Sequence, residues 1–308
     1  MADETEVRRT LSEPAARQLA NATKTRAQWS GITPRWLVSF LPWVPVEAGI
    51  YRLNRVKETD GEGDVECSPS RERDTDLPET FVDYDAAPRE YFLNAVTTIL
   101  DVQSRVTDLY NQPYDQIQEQ LRLLIEKVKE KQESELINNP EYGLIPNAAP
   151  NMRISVRGGA PTPDDLDELI ALVWKEPAFF LAHPKAIAAF GRECTRRGVP
   201  PPTLNLFGTA FLTWRGLPLV PSDKLPFVDG KTKILLLRTG ERKQGVVGLF
   251  QPGVPGEVAP SLSVRFMGIN RKAIASYLIS LYCSSAILTP DALGVLEGVE
   301  IDRYHVYA

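Results

Sequence analysis

Histidine and cysteine are scarce in this sequence. Its 308 residues include two histidines, His183 and His305, and three cysteines, Cys67, Cys194 and Cys283, without a CxxC pair. Two imidazole groups leave little material for general acid–base catalysis or a zinc site. An odd number of cysteines without close pairs is typical of a reducing compartment rather than a disulfide framework. We therefore expect free thiols, no metal site and a cytoplasmic protein.

Recognisable catalytic motifs are missing too. The sequence contains no HExxH, GxSxG, GxxxxGK[ST] or strand-linked GxGxxG, which are the patterns of zincins, α/β-hydrolases, P-loop proteins and dinucleotide-binding proteins. The glycine-rich run 240–260 follows no P-loop pattern and predicts a hairpin with wide turns. This result favours a structural protein, and we assign no catalytic, cofactor-binding or metal-binding residue.

The sequence has no excess of basic charge. Its 35 lysine and arginine residues are outnumbered by 40 aspartate and glutamate residues, which gives a formal net charge of −5. Because binding along a phosphate backbone requires a concentrated basic face, this composition argues against nucleic acid as a partner. With 43% apolar residues, the chain can bury one or two cores.

Long apolar segments are absent as well. The first thirty residues mix charged and small residues and contain no apolar core of a signal peptide. The uncharged run near the N-terminus, residues 36–46, is eleven residues long and includes two prolines. A transmembrane helix needs about 20 apolar residues. The sequence therefore predicts neither export nor a membrane span.

Aromatic residues, in contrast, are concentrated near the N-terminus. Three of the five tryptophans lie between residues 28 and 55, namely Trp29, Trp36 and Trp43. Thr33 and Pro34 predict the start of a short helix that continues through Leu41 and ends at Pro42. Short helices broken by prolines cannot bury their own aromatic side chains. We therefore expect this stretch to pack on another surface.

A charged insert interrupts a hairpin that is predicted after the aromatic stretch. Residues 50–56 alternate apolar and polar side chains as strands do, and residues 79–84 are the predicted returning strand. Between them, residues 57–80 include nine acidic and three basic side chains. Such a segment is typical of the solvated tip of a long hairpin loop, and a surface loop without a task is an equal alternative.

Apolar residues recur at helical spacing from residue 88 to about residue 137, which predicts one long helix with a kink or break near Pro113. The proline- and asparagine-rich run 138–151 predicts a connector and a domain boundary. A helix is expected after Thr162, with Pro163 in the first helical position and Asp165 at N3. Another is expected over residues 184–197, ended by Gly198.

The second half of the chain mixes strand and helix signals. Runs rich in β-branched and aromatic residues predict strands at 204–214, 232–238, 245–250 and 262–267. Asn270, followed by apolar residues, predicts a last helix over residues 273–286. Residues 301–308 predict a closing strand. The fold class is therefore α+β.

Cys194 is the cysteine for which the sequence offers a reactive role as an alternative to a structural one. Three neighbouring arginines, at positions 192, 196 and 197, would lower its thiol pKa and raise its reactivity. Cys194 also lies four residues after Phe190, on the predicted apolar face of its helix, so we favour a buried structural thiol. His183 precedes Pro184 and is predicted to flank or cap that helix.

Four stretches of the sequence resemble the second family of encapsulin shell proteins. They are ARQLANATKT (16–25), ITPRWL (32–37), PWVPVEAGIYRLNR (42–55) and TWRGLPLVPSDKLP (213–226). The resemblance extends over essentially the whole chain and is to the SrpI-type branch without a cyclic-nucleotide-binding insert. It implies the fold of a tailed-bacteriophage major capsid protein.

That resemblance implies five parts of the chain. They are an N-terminal arm (1–49), an extended hairpin loop (50–85), a peripheral domain with a spine helix (86–160), an axial domain (161–265) and a return to the peripheral domain (266–308).

The same resemblance implies a structural protein and not an enzyme. The implied partners are further copies of the chain, in a closed icosahedral homo-oligomeric shell, and a cargo enzyme. For this branch the cargo is a cysteine desulfurase linked to sulfur metabolism or storage. Pyridoxal phosphate would belong to that cargo, so no cofactor is assigned to this chain.

In a shell, the aromatic stretch has an expected purpose. Burying an aromatic side chain against a neighbouring copy contributes about 1.5–3 kcal/mol. The subunit-interface candidates are Trp29, Trp36, Phe40, Trp43, Tyr51 and Arg55. We therefore expect a chain without residues 1–43 to fold but to assemble poorly.

Two alternatives remain open at this point. The aromatic stretch would suit an anchor for a peripheral membrane-surface protein, although Arg35 is the one basic residue between Ser30 and Ala48. The other alternative is a cysteine-dependent cytoplasmic enzyme centred on Cys194.

Overall fold

The computed structural model describes residues 10–15, 18, 31–56, 83–103 and 116–304. The predictions made for Trp29, Cys67, His305, the whole acidic insert and the break near Pro113 lie outside these residues. Within them, a seven-stranded sheet and a six-stranded sheet form the framework.

The described part of the chain contains both helices and strands. The α-helices are α1 (Trp36–Phe40), α2 (Gln116–Asn138), α3 (Leu144–Asn147), α4 (Pro163–Leu172) and α5 (Pro184–Arg196), and 3₁₀ helices lie at Pro150–Met152 and Pro290–Ala292. The strands are β1 (Trp43–Pro45), β2 (Ile50–Leu53), β3 (Arg89–Phe92), β4 (Asn94–Gln103), β5 (Arg153–Ser155), β6 (Phe179–Ala182), β7 (Thr203–Leu206), β8 (Thr209–Trp214), β9 (Leu217–Pro221), β10 (Lys231–Leu237), β11 (Val246–Phe250), β12 (Glu257–Ala259), β13 (Leu262–Ile269), β14 (Ile274–Ile287) and β15 (Leu293–Glu300).

The seven-stranded sheet runs in the order β5-β15-β10-β6-β9-β8-β7. All of β6 and residues 234–237 of β10 are buried, because both faces of these central strands are covered. Helices α4 and α5 contribute Leu166, Leu169 and Phe190 to the same apolar cluster. One face of this sheet, with Phe180 and Leu236, therefore shares a core with the two helices, whereas Leu181 and Leu235 belong to a second cluster on the other face.

Both helices begin where the capping signals predict. Asp165 donates its backbone N–H to the Thr162 hydroxyl (3.3 Å), and the Thr162 N–H donates to Asp165 Oδ2 (2.9 Å), which completes a capping box. His183 Nδ1 accepts the backbone N–H of Lys185 at the start of α5 (3.2 Å). Gly198, just after α5, has a φ of +72°. These predictions are confirmed.

The six-stranded sheet is built around β14. Strands β4 and β13 pair with it along most of its length, and β11 pairs with its last residues. Strand β1, from the N-terminal segment, joins the edge of the sheet parallel to β11. Helix α2 packs on this sheet, where Val128 shares a buried cluster with Leu100 and Ile279.

The prediction of one long helix over residues 88–137 is wrong for its first part. Helix α2 covers Gln116–Asn138, and β3 and β4 occupy residues 89–103. In β4, Leu100 and Val102 are buried whereas Ile99 is exposed, which is the alternation of a strand. The β-branched residues of this stretch favour a strand. Hydrogen-bonded pairing with β14 stabilises the strand over the helix that the apolar spacing had indicated.

The predicted helix over residues 273–286 is also wrong, since residues 274–287 form β14. Asn270 caps a turn instead: its Oδ1 accepts the backbone N–H groups of Lys272 (2.9 Å) and Ile274 (3.1 Å). An asparagine side chain serves helix caps and turns alike, so its presence does not distinguish them. Hydrogen-bonded pairing with β4 and β13 on its two sides stabilises β14 as a strand.

Three element boundaries differ from the predictions. Helix α1 begins later than predicted, at Trp36, because Arg35 has a left-handed φ of +51°. Strand β2 pairs with β3, and from the predicted returning strand the described residue Tyr84 forms an isolated bridge with Val56. Strand β15 ends at Glu300, and residues 301–304 form no strand.

The two sheets are not built from consecutive parts of the chain. Strands β11, β12 and all of β13 lie in the six-stranded sheet, and β15 lies in the seven-stranded sheet. The chain therefore passes between the sheets at residues 238–245 and again at residues 288–292. A local pattern predicts that a strand exists but does not specify its partner.

Candidate assembly surface

The N-terminal segment, residues 31–46, is held against α2 by a row of carboxylates. Thr33 donates its backbone N–H and its hydroxyl to Glu130, at 2.8 Å each. Arg35 Nη1 donates to Glu126 Oε2 (2.7 Å) and to Glu130 Oε1 (3.3 Å). Glutamates 126, 130 and 133 share one face of α2 because they are four and three residues apart.

Glu133, the third member of this row, is 1% exposed. Its Oε1 accepts the backbone N–H of Leu37 in α1 (3.0 Å). Burial raises the pKa of Glu133 to about 7, and the Leu37 hydrogen bond and the positive charge of Lys224 offset only part of that effect. A carboxyl group that titrates near neutral pH therefore lies where α1 is attached.

Helix α1 also supplies part of the protein core. Leu37 is fully buried and Leu41 is 3% exposed, in one apolar cluster with Leu136 and Ile137 of α2. The aromatic stretch was expected to pack on another surface. For these residues, that surface is the rest of the same chain.

An aromatic patch forms where α1 meets the β7–β8 hairpin; it consists of Trp36, Phe40, Phe207 and Phe211. The Trp36 ring lies 5.2 Å from the Phe211 ring in a T-shaped arrangement and stacks on the Phe207 ring at 6.3 Å. The Phe40 ring lies 5.3 Å from that of Phe207. Trp36 and Phe40 are half-buried, so part of each ring remains accessible.

The two phenylalanines of the hairpin, Phe207 and Phe211, are the members of the patch that sequence reasoning missed, and Phe207 is the exposed one. It is 69% exposed and occupies the hairpin turn with a φ of +51°, followed by Gly208 at +75°. A left-handed conformation costs a non-glycine residue about 1–2 kcal/mol, and such turns usually carry Asn-Gly or Asp-Gly. The Phe-Gly pair between two apolar runs is the signal that could have identified it.

Trp43 has a different environment. Its Nε1 donates to the Val38 carbonyl (2.9 Å), and its indole ring covers Gly248. A Cβ at position 248 would lie 2.7 Å from the ring, so the close approach requires glycine there. A groove of about 510 Å³ opens beside this contact and is lined in part by Pro34, Trp43 and Phe250.

The hairpin of β2 and β3 holds the two remaining described candidates. The Tyr51 hydroxyl donates to Glu241 Oε1 (2.8 Å), and burial together with that carboxylate raises the pKa of Tyr51 to about 12. The Tyr91 hydroxyl donates to the Ile287 carbonyl (2.5 Å). Arg55 is exposed, and among the described residues its guanidinium has no ion-pair partner.

The five predicted interface residues that the structure describes therefore do not form a single site. The structure brings Trp36 and Phe40 together, places Trp43 in the neighbouring groove, and places Tyr51 and Arg55 on the hairpin. Trp29 lies outside the described residues.

The environment of the thiols does not favour cysteine chemistry. Cys194 is fully buried, which raises the pKa of its thiol to about 11, and burial raises that of Cys283 to about 12. The prediction that Cys194 is a buried thiol is confirmed. In the described part of the chain, we find no cluster of three metal-ligating side chains and no helix long and apolar enough to cross a bilayer.

Comparisons with known proteins agree with this architecture. Residues 51–303 match the SrpI-like family model for type 2A encapsulin shell proteins. The type 2A encapsulin shell protein SrpI of Synechococcus elongatus is 67% identical over 298 residues, which cover 96% of each chain.

Solved structures agree as well. The holo-SrpI encapsulin complex from Synechococcus elongatus matches with a TM-score of 0.84 at 64% identity, covering 97% of this chain and 99% of that chain. The capsid of a native GTA particle matches with a TM-score of 0.63 at 13% identity, covering 90% of this chain and 94% of that chain. The α+β fold of a tailed-bacteriophage major capsid protein is thus confirmed.

Carboxylates and apolar side chains hold the N-terminal segment on a capsid-type framework. The chain therefore belongs to the SrpI-like family of type 2A encapsulin shell proteins, structural proteins that form the shell of a nanocompartment.

Proposed function

We propose that the shell formed by this chain lies in the cytoplasm and encloses a cysteine desulfurase, with a role in sulfur metabolism or storage. The observation that carries this proposal is the 67% identity to a type 2A shell protein along 96% of both chains. The identity spans both sheets, the N-terminal segment and the hairpin. Pyridoxal phosphate would be bound by the cargo, and this chain would supply the enclosing wall.

Co-purification tests the cargo. The shell protein is expressed with the cysteine desulfurase of the same organism and, separately, with a different pyridoxal-phosphate enzyme of similar size. We expect the desulfurase alone to sediment with megadalton particles that carry the absorbance of bound pyridoxal phosphate. With an added thiol reductant, those particles should convert cysteine to alanine and release the sulfur as sulfide. Particles that form normally but exclude the desulfurase, or take up both enzymes equally, would contradict the cargo assignment.

We also propose that Trp29, Trp36, Phe40, Trp43, Tyr51 and Arg55 lie at contacts between subunits. The accessible parts of the Trp36 and Phe40 rings, next to the exposed ring of Phe207, support this role for the aromatic patch. Closed shells repeat each contact many times, so a small contribution per copy is multiplied. Arg55 gives the cleanest test because its exposed side chain contributes little to the fold of its own chain.

Arg55→Ala is expected to leave folding unchanged and to raise the subunit concentration needed for assembly roughly two- to fivefold, as loss of about 0.5–1 kcal/mol per contact would. Light scattering during reassembly measures that concentration. The matched control is Arg52→Ala, since Arg52 is also exposed but pairs with Glu90 of its own hairpin (2.8 Å). Equal assembly of Arg55→Ala and wild type would remove Arg55 from the interface.

A further inference from the structure

A pair of neighbouring strands in one sheet continues into a pair of neighbouring strands in the other sheet, and the four strands form a bent ribbon. Strands β10 and β15 pair up to Leu237 and Leu293 in the seven-stranded sheet, and β11 and β14 pair from Val246 and Ile287 in the six-stranded sheet. The two connections, residues 238–245 and residues 288–292, therefore lie side by side. The bend of this ribbon lies where the chain passes from one sheet to the other.

A buried arginine joins the two connections across the bend. Arg238 is 2% exposed, and its Nη1 and Nη2 donate to Asp291 Oδ2 (3.2 Å) and Oδ1 (2.8 Å) as a bidentate pair. Its Nη2 also donates to Thr289 Oγ1 (2.7 Å). The arginine hydrogen bonds hold the pKa of Asp291 well below its usual range. We call these three residues the bend brace.

Further contacts tie the bend brace to its surroundings. The Thr289 hydroxyl donates to the Gln244 carbonyl on the first connection (2.8 Å). Lys175 Nζ, from the segment after α4, lies 2.9 Å from Asp291 Oδ2. Lys243 Nζ lies 3.1 Å from Glu176 Oε2 in the same region. Polar contacts thus link both connections to each other and to the chain just before β6.

The chemistry of the bend brace differs from that of the apolar packing beside it. Leu237, Val246, Ile287 and Leu293 share one buried cluster on either side of the bend. Apolar burial is non-directional, so such packing alone tolerates small rotations of one sheet against the other. A planar guanidinium that binds a carboxylate with two parallel hydrogen bonds fixes distance and angle together.

We propose that the Arg238–Asp291–Thr289 brace sets the angle between the two sheets and thereby the curvature and diameter of the shell. The proposal rests on assembly of this chain into a closed shell and is independent of the cargo. Each subunit repeats the same angle, and a ring or shell closes only when the rotation between copies matches its symmetry. A small angular change per subunit therefore changes which closed particle forms.

The test compares particle diameters of three variants with wild type. Arg238→Met removes the guanidinium but keeps a long apolar side chain, Asp291→Asn removes the carboxylate charge, and Thr289→Val removes the hydroxyl at constant shape. Intact particles are purified at matched concentration and measured by negative-stain electron microscopy and mass photometry. We expect a second diameter class, or a distribution at least about twofold broader than that of wild type.

The matched control is Arg215→Met. Arg215 also binds a carboxylate with two nitrogens, Nε to Asp167 Oδ1 (3.1 Å) and Nη2 to Oδ2 (2.9 Å), but both partners belong to the part of the chain around the seven-stranded sheet. Its particles should keep the wild-type diameter. Brace variants with the wild-type diameter and width would overturn the proposal. Failure of all three variants to fold would also overturn it, because the brace would then serve folding alone.

Discussion

Replacing Leu37 with alanine is expected to lower the free energy of unfolding by about 2–5 kcal/mol. Leu37 is fully buried between the short helix α1 and the main body, next to Leu136 and Ile137. Truncation removes the apolar contacts of its side chain and leaves a cavity that α1, anchored at both ends, cannot close. Denaturant unfolding followed by circular dichroism, at matched protein concentration, measures the loss.

The matched control for Leu37→Ala is Ile32→Ala. Ile32 belongs to the same N-terminal segment but is 36% exposed. Its substitution should change the free energy of unfolding by no more than about 0.5 kcal/mol. If Leu37→Ala is as mild as Ile32→Ala, α1 would contribute little to the fold and would be a docking arm.

The burial of α1 also corrects an expectation drawn from the sequence. A chain without residues 1–43 was expected to fold and to assemble poorly. That deletion removes Leu37 and Leu41 from the core and also removes Trp43, the first of the three β1 residues that pair with β11. It would therefore disrupt the subunit itself, and point substitutions such as Arg55→Ala are the better probe of assembly.

Replacing Glu133 with glutamine is expected to stabilise the protein at pH 8 by up to about 3 kcal/mol. Glutamine has the shape of the protonated glutamic acid and can still accept the Leu37 N–H, but it carries no charge in its buried position. At pH 4.5 and below, wild-type Glu133 is largely protonated in the folded protein, so the two proteins should differ little.

The pH profile follows from the direction of the Glu133 shift. Its pKa is about 7 in the folded protein and 4.5 in the reference state. Between these values the folded state binds more protons than the unfolded state, so the wild-type free energy of unfolding falls as pH rises from 4.5 to 7. Glu133→Gln lacks the titrating carboxyl group, so its free energy of unfolding should fall less between pH 4.5 and pH 7 than that of wild type.

Glu135→Gln is the control on the same helix. Glu135 accepts hydrogen bonds from Lys131 and Asn139, and these hold its pKa below the usual range. Glu135→Gln should therefore lower the free energy of unfolding slightly at pH 8, whereas Glu133→Gln should raise it. Parallel profiles for wild type and Glu133→Gln, from thermal unfolding at pH 4.5, 6 and 8, would show that Glu133 is charged in the folded state throughout.

The parts of the fold that local sequence predicted correctly are those that local contacts stabilise. The capping box of Thr162 and Asp165 and the glycine after α5 act within a few residues, and the structure has both helices there. The buried runs of β10 and β11 were likewise predicted, and residues 204–214 were predicted as a strand without the turn that divides them into β7 and β8. The resemblance of four stretches to shell proteins identified the fold and the shell, which spacing could not.

The candidate site was predicted only in part. The aromatic side chains of the N-terminal segment were recognised, but their partner Phe207 and the buried Glu133 were not, because each meets α1 only through contacts between distant parts of the chain. The residues next to Glu133 in the sequence do not distinguish it from the solvent-exposed charged residues of α2. Its contact with Leu37 joins residues 96 positions apart.

The sequence by itself determined the helix caps, the scarcity of catalytic side chains and the membership of a shell family. Tertiary structure decided that residues 94–103 and 274–287 are strands, that α1 belongs to the core and that Arg238 meets Asp291. The physical reason is the range of the interactions. A cap is completed by neighbours along the chain, whereas a sheet ladder, a core contact or a buried ion pair depends on partners that only folding brings together.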